Sequence, residues 1–437
     1  MKCLIIASGE GTRLASKSSL KPLAFLMGIP LIARVILLAR KAGLDDFYVV
    51  TGYNGKRLRD YLETFSKKRN IKITCLHNDE WKKENGISVL RAAGTINDNF
   101  ILLMSDHIFN KNIIEKLKNR KIHNDEVVLA IDSNIKRNKF VDKKDATKVF
   151  VKDKKILDIG KNLKEYNAYD TGIFLCTPAI FKAIEQSSKR GDTSLSGGIK
   201  LLAKRGKVKT CDIDGNYWID VDDAVRLKLA EDYLLDISTK KQSDGFISRY
   251  INRPISIPIT KLLLRTKIQP NTITLLCFFL SIVSVLFFFH KGYINLLIGA
   301  TLAQFTSILD GCDGEIARLK FLETEFGGWF DAVLDRYADA FLLFGLTYHI
   351  FQITGSLSII FIGFLALIGS LINSYTADKY DSFMKNRVHR HFRIGRDLRI
   401  FIIFLGGVLN LPILALLAIA IIMNIENMRR VVVLARA

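Results

Sequence analysis

Beyond residue 270 this chain carries six apolar segments, at approximately 272–289, 292–309, 328–351, 356–377, 398–409 and 411–426, and they limit its fold more than any other feature. The first, second and fourth approach the length needed to cross a hydrocarbon layer as a helix. The last two are short and are separated by Asn410 and Pro412, so they also read as one broken span. Residues 1–240 contain no comparable run. They hold 44 Lys and Arg against 30 Asp and Glu, whereas residues 241–437 hold 20 against 13. A chain of 437 residues is too long for one ordinary domain. The expected organisation is a soluble domain over 1–240, an interfacial amphipathic segment over 241–270 and a membrane domain over 271–437. The interfacial assignment rests on Phe246 to Thr266, where Arg249, Arg253, Lys261 and Arg265, placed to reach headgroups, are mixed with apolar residues and the run is broken by Pro254 and Pro258.

The formal net charge of +21 raises nucleic acid as a partner, but the charge is diffuse lysine without a recognisable nucleic-acid-binding motif. Anionic lipid headgroups and phosphorylated small substrates account for it instead. The six cysteines are scattered and form no Cys-x-x-Cys pair, which argues against a disulfide framework or a zinc site. The apolar stretch Cys3 to Ala7 is too short for a signal-peptide core and reads as a buried strand.

That strand, Lys2 to Ala7, runs into the loop Ser8-Gly-Glu-Gly-Thr-Arg-Leu14. An amphipathic helix from about Pro30 to Gly43 and a strand from Phe47 to Thr51 complete a βαβ unit. Glycines after a first parallel strand let backbone N–H groups approach phosphates. The loop is not a Walker A sequence, because Lys21 lies ten residues after Gly11, and it does not complete a Gly-x-Gly-x-x-Gly pattern. Gly9-x-Gly11-Thr12-Arg13-Leu14 followed by Lys21-x-Leu23 resembles the signature of the sugar nucleotidyltransferase family, with Leu20 where that family usually has proline. Asn85-Gly86-Ile-Ser88 resembles its base-contacting segment. Ile101 to Asp106-His107 resembles the strand ending in a metal-binding aspartate, and Tyr217-Trp-Ile-Asp220-Val-Asp222 resembles the strand supplying a second carboxylate. The resemblance implies an α/β Rossmann-like fold that binds a nucleoside triphosphate. Gly9, Gly11, Thr12, Arg13, Lys21, Asn85 and Gly86 would contact the nucleotide, with Lys21 acting catalytically on the phosphates. Asp106 and Asp222 would hold Mg²⁺ or Mn²⁺, since attack of one phosphate on another needs a divalent cation to offset their repulsion.

In the membrane half, aspartates interrupt the apolar pattern. Asp310 and Asp313 are three residues apart and Asp331 and Asp335 four, spacings that put each pair on one helix face. Four carboxylates converging near a membrane surface would repel one another, so divalent cations are expected there. The run Asp310-x-x-Asp313-Gly314-x-x-Ala317-Arg318, then Gly327-x-x-x-Asp331-x-x-x-Asp335, resembles the CDP-alcohol phosphotransferase signature at every fixed position. The six apolar segments predict an all-α six-helix transmembrane domain. Asp310, Asp313 and Asp331 would bind the metals with Asp335 nearby. Asp335 would take the acceptor hydroxyl proton, and Gly314, Ala317, Arg318 and Gly327 would receive the CDP moiety. Arg387, Arg390 and Arg393 recur at three-residue intervals and are candidates for an acceptor phosphate.

Six crossings leave both ends on one side. The 378–399 connection holds Lys379, Lys385, Arg387, Arg390, Arg393, Arg396 and Arg399, and the tail holds Arg429, Arg430 and Arg436. On the opposite side only Lys291 stands out, so the soluble domain, the active sites and both termini are expected in the cytoplasm. The fusion as a whole resembles bifunctional inositol-1-phosphate cytidylyltransferase and di-myo-inositol phosphate phosphate synthase enzymes. It implies that CTP and inositol 1-phosphate give CDP-inositol, which a second inositol 1-phosphate consumes, in a homodimer formed through the membrane helices. Three rivals differ in outcome. One is an enzyme pair for another alcohol. A second is a lipid synthase using CDP-diacylglycerol with an inert soluble scaffold, and the last is a transporter without catalysis.

Overall fold

A computed structural model describes residues 1–14, 20–135, 138, 140–143, 145–239, 245–385 and 394–436, without the side chains at 378, 381, 384 and 385. The chain divides into two compact units, Met1–Tyr233 and Leu234–Ala437.

The first unit is α/β. Its strands are β1 (Lys2–Ala7), β2 (Phe25–Leu26), β3 (Ile29–Pro30), β4 (Asp46–Thr51), β5 (Lys72–His77), β6 (Phe100–Met104), β7 (His107–Phe109), β8 (Val127–Asp132), β9 (Lys148–Lys152), β10 (Lys155–Gly160), β11 (Ala168–Cys176), β12 (Val208–Asp212) and β13 (Trp218–Asp220). Nine of these make one sheet in the order β5-β4-β1-β6-β11-β8-β12-β10-β9. β5, β4, β1 and β6 run parallel, and β11 enters antiparallel to β6. All six residues of β8 are buried, as are five of six in β1, which is the unbroken apolar pattern of strands covered on both faces. Around the sheet lie α1 (Leu31–Lys41), α2 (Gly55–Arg69), α3 (Asn85–Leu90), α4 (Lys111–Lys118), α5 (Ala179–Ser188) and α6 (Leu195–Lys204), and α7 (Ala224–Thr239) runs on across the division at Tyr233. The loops after β1 and β6 therefore emerge together at the carboxyl ends of adjacent parallel strands, where open α/β sheets bind ligands. A two-stranded ladder of β7 with β13 sets His107 opposite Asp220.

The second unit is helical: α8 (Arg253–Leu263), α9 (Pro270–Phe288), α10 (Tyr293–Leu319), α11 (Glu325–Thr354), α12 (Leu357–Lys385), α13 (Arg396–Val408) and α14 (Pro412–Ala435). Prolines occupy the first turns of α9 and α14, where their missing N–H costs nothing. Among the described residues four stretches are long and apolar enough to cross a membrane: Pro270–Phe288, Tyr293–Leu319, Leu357–Ala377 and Pro412–Ala435. α11 carries Asp331, Asp335, Arg336 and Asp339, and α13 has only 13 residues, so neither meets that criterion. The expected boundary at residue 309 falls short. α10 continues to Leu319, so both aspartate pairs lie on helices. The segments 398–409 and 411–426 are two helices joined at Asn410, whose φ is +55°. α8 runs unbroken through Pro258 and buries Arg253, Ser256 and Thr260. Arg253, read from sequence as facing lipid headgroups, instead pairs inward with the fully buried Glu315 of α10. Arg387, Arg390 and Arg393 lie outside the described residues.

Candidate active sites

In the first unit, a cleft of about 400 Å³ opens where the β1 and β6 loops meet. Gly9, Gly11, Arg13, Lys21, Asn85, Asp106 and Asp222 line it, with Trp81, His107, Lys161, Asp170 and Asp220 among the other wall residues. Thr12 is exposed at the start of a short helical turn and is not part of that wall. Gly86 is a packing residue, because a Cβ there would sit 2.4 Å from the Thr193 carbonyl oxygen. Gly11 has φ +62° and its missing Cβ would meet Lys21 Cβ at 2.4 Å, so glycine lets the loop close over the lysine. Gly9 faces open space.

The charged groups form one network. Lys21 Nζ donates to Asp106 Oδ2 at 2.6 Å and to Asp222 Oδ1 at 2.5 Å. Arg13 reaches Asp145 Oδ2 at 2.5 Å and Asp222 Oδ2 at 3.1 Å. Burial works against the Lys21 charge, but Asp106, Asp220 and Asp222 outweigh it and hold the ammonium above its ordinary range. Burial likewise disfavours a charged Asp106, yet Lys21 and His107 keep its carboxyl below the usual value. Asp222 is pushed up by burial and by Asp220. His107, which the sequence reading named without a role, lies 3.5 Å from Asp220 and 3.8 Å from Asp106. Those carboxylates override its burial and raise it to about 10.

In the second unit, α10 and α11 bring oxygens of Asp310, Asp331 and Asp335 within 4.8 Å of one another. Asp331 Oδ1 is buried without a hydrogen-bond partner. Asp313 accepts from Thr274 of α9 at 2.6 Å and from the Gly314 amide. A cation absent from the sequence reading of this site completes it. Arg396, at the start of α13, reaches Asp310 Oδ2 at 2.9 Å, Asp335 Oδ1 at 2.8 Å and Asp339 Oδ1 at 2.8 Å. Arg399 holds the other oxygen of Asp339 at 2.5 Å. Both arginines had been counted as loop charge. Their aspartate partners are 57 to 86 residues away, so spacing along the chain gave no sign of them. Asp339 does extend the four-residue ladder of Asp331 and Asp335 by one step, a signal that was available. Gly314 lies against Arg318, whose guanidinium donates to the Ser238 carbonyl, and Gly327 donates to the capping Thr324 hydroxyl. Ala317 is half-buried one position before Arg318. Oxygen-only ligands with an unpartnered buried carboxylate oxygen fit Mg²⁺ or Mn²⁺.

Fold and site together define a two-part transferase, a nucleotidyltransferase unit joined to a membrane phosphotransferase unit. Residues 3–194 match the MobA-like NTP transferase domain, and residues 267–434 match the CDP-alcohol phosphatidyltransferase family. A bifunctional IPC transferase and DIPP synthase of Aquifex aeolicus is 34% identical over 97% of this chain and 95% of its own length. One of the same description from Rubrobacter xylanophilus is 33% identical over 99% and 96%. The inositol-1-phosphate CTP transferase structure from T. maritima is 25% identical with a TM-score of 0.47, covering 53% of this chain and 93% of that one. The chain belongs to the family of bifunctional IPC transferases and DIPP synthases.

Proposed function

We propose that the first unit makes CDP-inositol from CTP and inositol 1-phosphate, and that the second transfers its phosphoinositol to another inositol 1-phosphate. The observation that carries this reading is full-length kinship with bifunctional relatives, combined with a separate acidic and basic constellation in each unit. In the first reaction an inositol 1-phosphate oxygen attacks the α-phosphorus of CTP and pyrophosphate leaves. Gly9, Gly11 and Asn85 line the nucleotide site, and Gly86 packs against the Thr193–Ser194 backbone beside it. Lys21 and Arg13 turn from their carboxylates to the phosphates, and Asp106, with a carboxylate from the 220–222 stretch, would hold the cation. In the second reaction a hydroxyl of inositol 1-phosphate attacks the β-phosphorus of CDP-inositol and CMP leaves. Asp335 accepts the hydroxyl proton. Asp310, Asp313 and Asp331 would hold divalent cations, and Gly314, Ala317, Arg318 and Gly327 would receive the CDP moiety. At either site the cation would supply charge neutralisation at the reacting phosphates. Arg387, Arg390 and Arg393 would receive the acceptor phosphate.

The same reading places six crossings in the membrane, with the soluble unit, both active sites and both termini cytoplasmic. Arg396 and Arg399 are spent on aspartates and Arg429 and Arg430 on Glu426, so sidedness rests on Lys379, Lys385, Arg387, Arg390, Arg393 and Arg436. Exposed Phe326, Tyr337, Phe344 and Leu414 offer surface for lipid or for a second copy in a homodimer. Incubating the purified chain with CTP, Mg²⁺ and inositol 1-phosphate and following ³¹P NMR should show pyrophosphate, CDP-inositol, a two-inositol diester and CMP. Absence of both CDP-inositol and the diester would overturn the reading.

A further inference from the structure

We infer that His107 is a metal ligand, so that the cation of the nucleotidyl-transfer site is held by Asp106, His107 and Asp220 rather than by Asp106 and Asp222. The inference rests on the proposed function only in taking the cleft to be a metal site. Three observations point to it.

The first is how the carboxylates are already engaged. Both oxygens of Asp222 face cations, Oδ1 on Lys21 and Oδ2 on Arg13. Asp106 gives only Oδ2 to Lys21 and turns Oδ1 toward His107. Asp220 Oδ1 is buried and accepts no hydrogen bond, although it points at the same imidazole. The cleft thus has a phosphate-facing side, Lys21 with Asp222, and a second side where two carboxylate oxygens and one ring nitrogen converge.

The second observation is the fixing of the ring. His107 Nδ1 lies 2.8 Å from the Thr171 carbonyl oxygen, an acceptor only, so Nδ1 carries hydrogen, and a cation that displaces the second ring proton would meet the lone pair of Nε2. Metal-ligating histidines use this arrangement, donating one ring N–H to a backbone carbonyl while the other nitrogen binds. Gly172, at φ +72°, makes room for the ring, because a Cβ there would lie 2.5 Å from Cε1 and Nδ1. The ladder register fixes the remaining ligand, since His107 and Asp220 are direct cross-strand partners.

The third is distance. Nε2 stands 3.5 Å from Asp220 Oδ1 and 3.8 Å from Asp106 Oδ1, and all three donor atoms lie within 4.8 Å of one another. Ligands about 2.1 Å from one ion at right angles are about 3 Å apart, so each histidine–carboxylate gap needs to close by less than about 1 Å. A mixed nitrogen and oxygen set favours Mn²⁺ and other first-row ions over Mg²⁺, which takes oxygen almost exclusively. The carboxylate set of Asp310, Asp331 and Asp335 in the membrane unit should lack that preference.

The test uses the full-length detergent-solubilised chain loaded with Mn²⁺ alone, without nucleotide. Pulsed EPR should show modulation from a directly bound ¹⁴N nucleus. Histidine labelled with ¹⁵N should replace it by the ¹⁵N coupling, which needs no variant to fold. His107→Gln should abolish the coupling and weaken Mn²⁺ binding at that site at least tenfold, with Mg²⁺ binding changed less. Asp222→Asn should leave the nitrogen coupling in place. Manganese with no bound nitrogen in the unmodified chain, or nitrogen coupling that persists in His107→Gln, would overturn the inference. In either case His107 would be only an imidazolium paired with two carboxylates. Neither result bears on whether CDP-inositol forms, which the ³¹P experiment reads separately.

Discussion

Replacing Asp339 by asparagine tests whether the salt-bridge array beneath the membrane-unit aspartates holds that unit together. Asp339 is 3% exposed and Arg399 1%, and Asp339 accepts from Arg399 at 2.5 Å and from Arg396 at 2.8 Å. Removing one member of a buried ion pair costs about 3–5 kcal/mol, because the other charge is left without compensation. Asparagine keeps one acceptor oxygen, and Arg399 retains the Ser370 carbonyl and the Ser374 hydroxyl, so the lower end, about 3 kcal/mol, is expected. For a unit of this size each kcal/mol moves the unfolding midpoint by about 2–4 °C, giving a fall of roughly 6–12 °C. Helix loss followed by circular dichroism in detergent reads it. Arg399→Met should behave similarly. The double variant Asp339→Leu with Arg399→Met should recover at least half the loss, since neither charge remains buried. Arg396 would also lose an anchor, so CMP release should fall in Asp339→Asn while pyrophosphate release is retained. A midpoint shift below about 2 °C in both single variants, or a double variant as unstable as either, would refute the reasoning.

Lys21→Met should stop pyrophosphate release from CTP by at least about 100-fold, while CMP release from supplied CDP-inositol continues. Asp335→Asn should do the reverse, with CMP release falling about 10²- to 10⁴-fold, the usual contribution of a general base; both are read by quantifying products. Burial raises Asp170 to about 6, above its unfolded value of 3.8, so the folded unit binds this proton more tightly than the unfolded chain. Its contribution to stability is full below pH 4 and is lost as pH rises through 6. Denaturant midpoints from pH 4 to 7 should therefore show a decline with rising pH that Asp170→Asn removes.

What the sequence conveyed well was short-range. The ladder Asp331 and Asp335, and the pair Asp310 and Asp313, lie at helical spacing, so their shared faces followed from the period alone. The strand from Lys2 to Ala7 was similarly plain, because a continuous apolar run bounded by glycine has few other outcomes. What escaped was pairing across distance. Arg396 and Arg399 looked like loop charge because basic residues near a span ordinarily set topology, whereas a buried aspartate 57 or 60 residues away claims them. Arg253 was misread for the same reason. His107 needed the register of β7 on β13, which places it opposite Asp220 and which no spacing encodes. The helices α11 and α13 show a further limit, since hydropathy judges each segment alone and cannot credit charges neutralised by a neighbour.

The inward turn of Arg253 also fixes where this protein can be cut. The phosphotransferase family match begins at residue 267, which invites a fragment starting there. Such a fragment would discard Arg253, Ser256 and Thr260, the three side chains that satisfy Glu315. Glu315 is fully buried between Gly314 and Ile316, inside the aspartate-bearing stretch of α10. The smallest membrane fragment that keeps its reactive helix intact therefore starts upstream of Arg253, and gene fusions or linker swaps must treat α8 as part of the enzyme rather than as tether.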